Sequence, residues 1–225
     1  MITSASNPRL KLIRRLESRR QRAKLGLFVC EGEDLVDAAQ AAGIEPVDLL
    51  VAGEDVEPEL LAAVSTLAHP PRVIGVYRSS DLPAWTQRPA TLALWHVADP
   101  GNVGTLIRSA DAFGASIALS EGCADPTGSK ALRGSAGAIF RVPIGRLNQA
   151  EGPRIALVAH AGDPLGSVDL SELTVFVLGA EREGVPDELV AACDAVASIP
   201  LADSAESLNV AAAGAIALYE WSRRA

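Results

Sequence analysis

Apolar positions along the chain alternate between helical and strand periods. In residues 7–24, Leu10, Ile13 and Leu16 fall on one helical face with Leu12 at its border, and basic residues fill the rest. That spacing predicts an amphipathic helix. LFVCEG (27–32) reads as a strand ending in a turn, and EDLVDAAQAAG (33–43) as a helix closed by Gly43. VDLLVA (47–52) predicts a second strand, PELLAAVSTLA (58–68) a helix and VIGVY (73–77) a third strand. RSSDLPAWTQRPA (78–90) follows neither period and is rich in Ser, Pro and Arg, as a linker would be. The pattern divides the chain into a small α/β domain, residues 1–88, and a second domain, residues 89–225.

The second part alternates again. TLALWHV (91–97), SIALS (116–120), RIALVAH (154–160), TVFVLG (174–179) and AVASIP (195–200) are strand candidates. Their continuous apolar character predicts a parallel sheet covered on both faces. Helices are expected at 103–113, 129–137, 187–193 and 207–223.

Hydrophobic residues make up 48% of the 225-residue chain, enough for a sizeable core. The longest apolar stretch, LNVAAAGAIALY (208–219), is too short to span a bilayer, and the N-terminus lacks a signal-peptide segment. A cytoplasmic protein is expected. Cys30, Cys123 and Cys193 are odd in number and widely spaced, and the three histidines form no cluster, so neither disulfides nor a metal is expected.

Net charge is −8, which argues against a wholly basic nucleic-acid binder. The distribution changes that picture. Residues 1–24 carry Arg9, Lys11, Arg14, Arg15, Arg19, Arg20, Arg22 and Lys24 against a single acid, Glu17. Such a segment is either an anion-binding face on an acidic body or a solvated helix.

Three loops carry candidate chemistry. DPGNVGTLIRSADAFGA (99–115) joins a strand to a helix through Gly101, Asn102 and Gly104. Its glycines suit close backbone approach to a ligand, yet it matches neither the dinucleotide nor the P-loop fingerprint. Taken alone, Arg108 reads as an ordinary surface arginine. VLGAEREGVPDEL (177–189) leaves a strand at Gly179 and turns through Glu181 and Gly184. IPLADSAESLNVAAAGAIALYEW (199–221) leaves another strand and opens a helix near Ser207 and Asn209, whose small residues suit close packing. Three strand-end loops of one parallel sheet converge on one edge, where open α/β sheets bind ligands.

In this order the three loops resemble the motifs of the SpoU (TrmH) family of RNA ribose 2′-O-methyltransferases, in the SPOUT superfamily. GCADPTGSKALRGSAGAIFRVPI (122–144) is similar to the family's connecting segment, and residues 6–39 to its small RNA-binding domain. The resemblance implies a parallel-sheet methyltransferase domain with a C-terminal trefoil knot, preceded by a small α/β RNA-binding domain. It implies S-adenosylmethionine bound by Gly179, Ile199, Leu201 and Leu208, although plain core packing is the competing reading of the last three.

By the same resemblance Arg108 is the essential first-motif arginine. A guanidinium with a pKa above ~12 is a poor base, so hydrogen bonding to RNA phosphate and stabilising a developing alkoxide is the expected role. Asn102, Ser207 and Asn209 would position the ribose, and Glu181 would hold Arg108 or a partner arginine. The basic N-terminal residues would meet RNA phosphates, with Lys130, Arg133 and Arg141 extending the track. Ribosomal RNA is the first expected substrate and transfer RNA the second, acted on by a homodimer.

Two departures from the family pattern stand out. Asp99 takes the place of the usual Asn, and Ala180 the place of Asn in the second motif. They keep open a non-catalytic RNA-binding protein of the same fold. A nucleotide-dependent enzyme of Rossmann type is disfavoured by the missing glycine fingerprint.

Overall fold

The computed structural model describes residues 1–170, 173–202 and 204–224. Two sheets organise it, separated between Arg78 and Ala90. The first has three antiparallel strands: β1 (Leu27–Glu31), β2 (Asp48–Val51) and β3 (Val73–Arg78), with β3 central. Helices α1 (Pro8–Leu16) and α2 (Arg19–Leu25) precede it, and α3 (Glu33–Ala41) and α4 (Pro58–Ala62) connect its strands.

Strand alternation gives this sheet two partners. Leu27 and Val29 pack with Leu10, Ile13 and Leu16 of α1. Phe28 and Cys30 point the other way, into the core shared with the second sheet. There Phe28, Tyr77 and Phe140 form an aromatic trio with ring centroids 5.9–6.3 Å apart. Each such pair contributes about 0.5–1.5 kcal/mol beyond its buried area, which helps fix the small sheet on the larger body.

Several predicted helices are shorter than their periodicity suggests: those expected at 129–137, 187–193 and 207–223 run over Ser129–Ser135, Asp187–Ala191 and Val210–Ser222, and two in the first domain differ more. The expected helix over 7–24 is broken at Glu17–Ser18, where Ser18 is extended and starts α2. Arg22 Nη1 donates to the Leu16 and Glu17 carbonyls, 2.8 Å each, and so satisfies the end of α1. The helix expected over 58–68 stops at Ala62. Downstream, Ser65 Oγ, Thr66 N and Thr66 Oγ1 instead donate to the buried carboxylate of Glu31 at 2.6–2.8 Å. A buried charge needs those donors more than the helix needs another turn.

The second sheet has seven parallel strands: β4 (Ala90–Leu94), β5 (Ser116–Leu119), β6 (Ile144–Arg146), β7 (Arg154–Leu157), β8 (Asp163–Pro164), β9 (Thr174–Leu178) and β10 (Ala195–Ser198). Their order is β6-β5-β4-β9-β7-β10-β8. Helices α5 (Pro100–Ala112), α6 (Ser129–Ser135), α7 (Asp187–Ala191) and α8 (Val210–Ser222) complete the chain. Leu92, Leu94, Phe176 and Leu178 share a core with Leu106 of α5 and Leu218 of α8. Ala93, Val175 and Val177 face the other side, toward Leu189 and Val190 of α7. This two-sided burial is why the strands read as continuous apolar runs.

Close approach in this domain rests on glycine. A Cβ at Gly104 would lie 2.3 Å from the Ala131 carbonyl and 2.9 Å from Gly134 Cα, so α5 and α6 cross backbone to backbone. Gly104 therefore serves helix packing, whereas a Cβ at Gly101 would meet the side chains of Asp99, at 2.8 Å, and Lys130, at 3.4 Å. At Gly214, where α8 lies on α5, a Cβ would lie 2.4 Å from Leu106 Cδ2, a side-chain methyl rather than backbone.

Candidate active site

The three motif loops leave the C-terminal ends of β4, β9 and β10, which the parallel sheet places on one edge. Asp99 caps α5: its Oδ1 accepts from Gly101 N at 2.7 Å and Asn102 N at 3.0 Å. Pro100 follows at the first helical position, where its missing N–H is harmless. Asp99 Oδ2 accepts from Lys130 Nζ at 2.8 Å. That bond from Lys130, with the two backbone donors, holds the Asp99 carboxyl below its ordinary range against partial desolvation. The Asp that departs from the family pattern is thus a helix cap paired to α6.

Glu181 reaches back across the sheet edge from the β9 loop. Its Oε1 accepts from Asn102 Nδ2 at 2.9 Å and Asp99 N at 3.2 Å, and its Oε2 from Ala98 N at 3.4 Å. Desolvation works to raise the Glu181 pKa, but these donors outweigh it and hold the carboxyl below the usual glutamate range. Asn102 Oδ1 accepts from Asn209 Nδ2 at 3.0 Å. Asn209 Oδ1 caps α8, accepting from Ala211 N at 2.8 Å. A single chain of hydrogen bonds, Asn209 to Asn102 to Glu181, therefore ties the three loops together. Both amide orientations follow from it, because Asn209 must turn its oxygen to the helix N–H groups.

This chain borders a cleft of about 610 Å³ at the ends of β7, β9 and β10. The expected cofactor residues Gly179, Ile199, Leu201 and Leu208 all line it, as do Glu181, Ser207 and Asn209. Ser207 lies in the loop before α8 rather than in its first turn, since Asn209 is the cap. Asp203 of that loop lies outside the described residues. Sequence reasoning missed Leu157 and Val158, which line the cleft from the end of β7. Their place follows from β7 pairing with β9, and strand order leaves no mark in periodicity.

Arg108 stands apart from this chain. It is exposed on α5, about 9 Å along the helix axis from Asn102 at 1.5 Å per residue. Glu181 engages Asn102 rather than Arg108, so the expected Glu181–Arg108 contact is absent among the described residues. The basic residues divide as well. Arg22 is only 8% exposed and pairs with Asp125 at 2.7 Å, which makes it an internal strut and not a phosphate ligand. Arg9 pairs with Asp48, Arg141 with Asp111 and Lys130 with Asp99. Arg19 donates to the Cys123 carbonyl, and Arg133 to Ser129 Oγ at 2.7 Å. Lys11, Arg14, Arg15, Arg20 and Lys24 remain exposed on α1 and α2.

A seven-stranded parallel sheet with ligand loops on one edge and a small antiparallel domain in front defines a class with solved members. The chain superimposes on the AdoMet-bound rRNA methyltransferase of Sinorhizobium meliloti with a TM-score of 0.88 and 30% identity, covering 99% of this chain and 97% of that one. On the AdoMet complex of the SpoU methyltransferase AviRb from Streptomyces viridochromogenes the TM-score is 0.83 at 26% identity, covering 97% and 98%. Residues 89–219 match the SpoU rRNA methylase family, and residues 7–80 match the MRM3-like substrate binding domain. The chain is also 33% identical to the 23S rRNA (guanosine(2553)-2′-O)-methyltransferase RlmP of Bacillus subtilis, over 97% of each protein. The protein belongs to the SpoU rRNA methylase family.

Proposed function

We propose that the protein transfers a methyl group from S-adenosylmethionine to a ribose 2′-hydroxyl of RNA, with ribosomal RNA first and transfer RNA second as substrate. The observation that carries this reading is the Asn209–Asn102–Glu181 hydrogen-bond chain at the mouth of the cleft, in a member of this family. The cleft suits the cofactor. Its volume of about 610 Å³ lies within the roughly 300–1,000 Å³ of small-molecule sites. Leu157, Ile199, Leu201 and Leu208 offer apolar walls, and Gly179 offers backbone groups. When bound, S-adenosylmethionine supplies an electrophilic methyl carbon.

The chain's own residues act by position and charge. The carboxylate of Glu181 stays ionised, and its lone pairs are taken by Asn102, Asp99 and Ala98, so it organises the turn rather than removing a proton. Asn102 and Asn209 each keep a second amide hydrogen for the ribose, and Ser207 adds a hydroxyl. Arg108, exposed on α5, binds the adjoining phosphate and stabilises the developing alkoxide. The hydroxyl proton passes to solvent at the open mouth. Segments 177–189 and 199–221 carry the knot expected for the family.

RNA is held by the 1–88 domain, through Lys11, Arg14, Arg15, Arg20 and Lys24. A second cleft of about 470 Å³ is bordered by Arg19, Thr66, Ser129 and Lys130 and reaches Pro100 at the start of α5. Ile216 and Tyr219 of α8, 38% and 53% exposed, support a homodimer through this helix. Ribosomal RNA as substrate supports a cytoplasmic location.

The test is methyl transfer from labelled S-adenosylmethionine to unmodified ribosomal RNA by the wild type and by Arg108→Ala. Loss of one charge-stabilising donor is expected to lower kcat about 10²- to 10³-fold, with cofactor affinity unchanged. Wild-type turnover by a folded Arg108→Ala variant would remove the role assigned to Arg108. Failure of the wild type to bind the cofactor would favour a non-catalytic RNA-binding protein.

A further inference from the structure

Between β4 and the first motif lie two aromatic residues that the methyl-transfer chemistry leaves unused. Trp95 and His96 stack in parallel, with ring centroids 4.5 Å apart and planes 4° from coincidence. His96 holds φ +53, and among the described residues only Ala136 shares a positive φ outside glycine. A non-glycine residue in the left-handed region is uncommon, though histidine adopts it more readily than most, and it persists where its surroundings hold it. Those surroundings are visible here. Ser120 Oγ accepts from His96 N at 2.9 Å, and Trp95 N donates to Leu178 O at 2.8 Å. Gly122 lies against the imidazole, where a Cβ would come within 3.0 Å of Cδ2 and 3.2 Å of Cγ. His96 is exposed and Trp95 half-buried.

The stack lies on the same sheet edge as the active site. Glu181 binds the backbone of Ala98 and Asp99, two and three residues beyond His96. Exposed arginines flank it along that edge. Arg146 ends β6, and Arg182 follows Glu181 and has no hydrogen-bond or ionic partner among the described residues. An aromatic platform between two cations beside a nucleic-acid site is what stacking of an unpaired base requires.

We propose that Trp95, backed by His96, stacks a base of single-stranded RNA next to the methylated nucleotide, with Arg182 and Arg146 meeting the neighbouring phosphates. The proposal rests on the RNA methyltransferase reading, and it makes Trp95 a binding residue rather than a catalytic one.

The experiment measures quenching of tryptophan fluorescence by a mixed-sequence single-stranded RNA of about twelve nucleotides, and by an abasic strand with the same phosphates. The intact strand is expected to quench the wild type and the abasic strand to quench little. Trp95→Phe should lose that quenching and keep most affinity. Trp95→Ala should weaken binding of the intact strand about 5- to 150-fold, the range for one stacked base. His96→Gly accepts the left-handed backbone and should weaken binding in the same direction. Calorimetric titration with S-adenosylmethionine should be unchanged in all three variants. Equal quenching by both strands, or full affinity in a folded Trp95→Ala variant, overturns the platform alone. A wild type that binds neither strand overturns it together with the RNA reading.

Discussion

Substituting Gly104 by Ala sets two forces of opposite sign against each other. In an unconstrained helix interior Gly→Ala gains about 1 kcal/mol from backbone entropy. At Gly104 the added methyl would stand 2.3 Å from the Ala131 carbonyl oxygen, 2.9 Å from Gly134 Cα and 3.0 Å from Gly134 C. All three are backbone atoms, so no side-chain rotation relieves the clash. A carbon needs roughly 3.5 Å, and α6 must therefore retreat from α5 by about 1 Å. Overpacking of this kind costs about 1–3 kcal/mol, and a rigid backbone neighbour puts Gly104 at the upper end. The expected net effect is destabilisation by about 1–2 kcal/mol, from the larger cost less the helical gain. Retreat of α6 also draws Lys130 from Asp99 and disturbs the cap that places Asn102, so cofactor turnover should fall as well. Urea unfolding followed by circular dichroism measures the first effect and methyl transfer the second. Gly214→Ala is the comparison, since its nearest neighbours are leucine methyls that can rotate away. A Gly104→Ala protein as stable as the wild type would refute the backbone crossing.

Three further outcomes follow from the site. Gly179→Ala would put a methyl 2.0–2.2 Å from the backbone of Gly184 and Val185, and the turn beside the cleft must open; calorimetry should find cofactor affinity lost in a protein that still melts cooperatively. Asn102→Ala and Asn209→Ala should couple by about 0.5–1.5 kcal/mol in a double-mutant cycle on stability, whereas additive effects would mean the amide bond is not formed in solution. Asp99 and Glu181 both titrate below their ordinary range, so each stabilises the fold above its unfolded pKa. That contribution is intact at neutral pH and is lost as pH falls through the depressed folded values; in Asp99→Asn the acid limb of a melting-temperature profile should flatten.

Much of the site was legible because motifs are local. The β4–α5 turn, the Gly179–Glu181 turn and the Asn209 cap are short segments whose residue types match their backbone tasks. Arg22 was not legible, because its burial depends on Asp125, 103 residues away in sequence. The break at Glu17–Ser18 was hidden for the same reason: leucine spacing continues across it, and the compensating donor is that same arginine. Strands β6 and β8 are three and two residues long, too short to show a period. The packing role of Gly104 was not legible, because sequence reveals a need for close approach but not that α6 is what approaches. The meaning of Asp99 required knowing that Lys130 of α6 lies beside it.

Ribose methylation in ribosomal RNA, mapped nucleotide by nucleotide in cells with and without the gene, tests the central claim most directly. Loss of a 2′-O-methyl group at one ribose, restored by the wild-type gene and not by Arg108→Ala, is the predicted result. An unchanged methylation map, with the purified protein also inactive on unmodified ribosomal RNA, would contradict it.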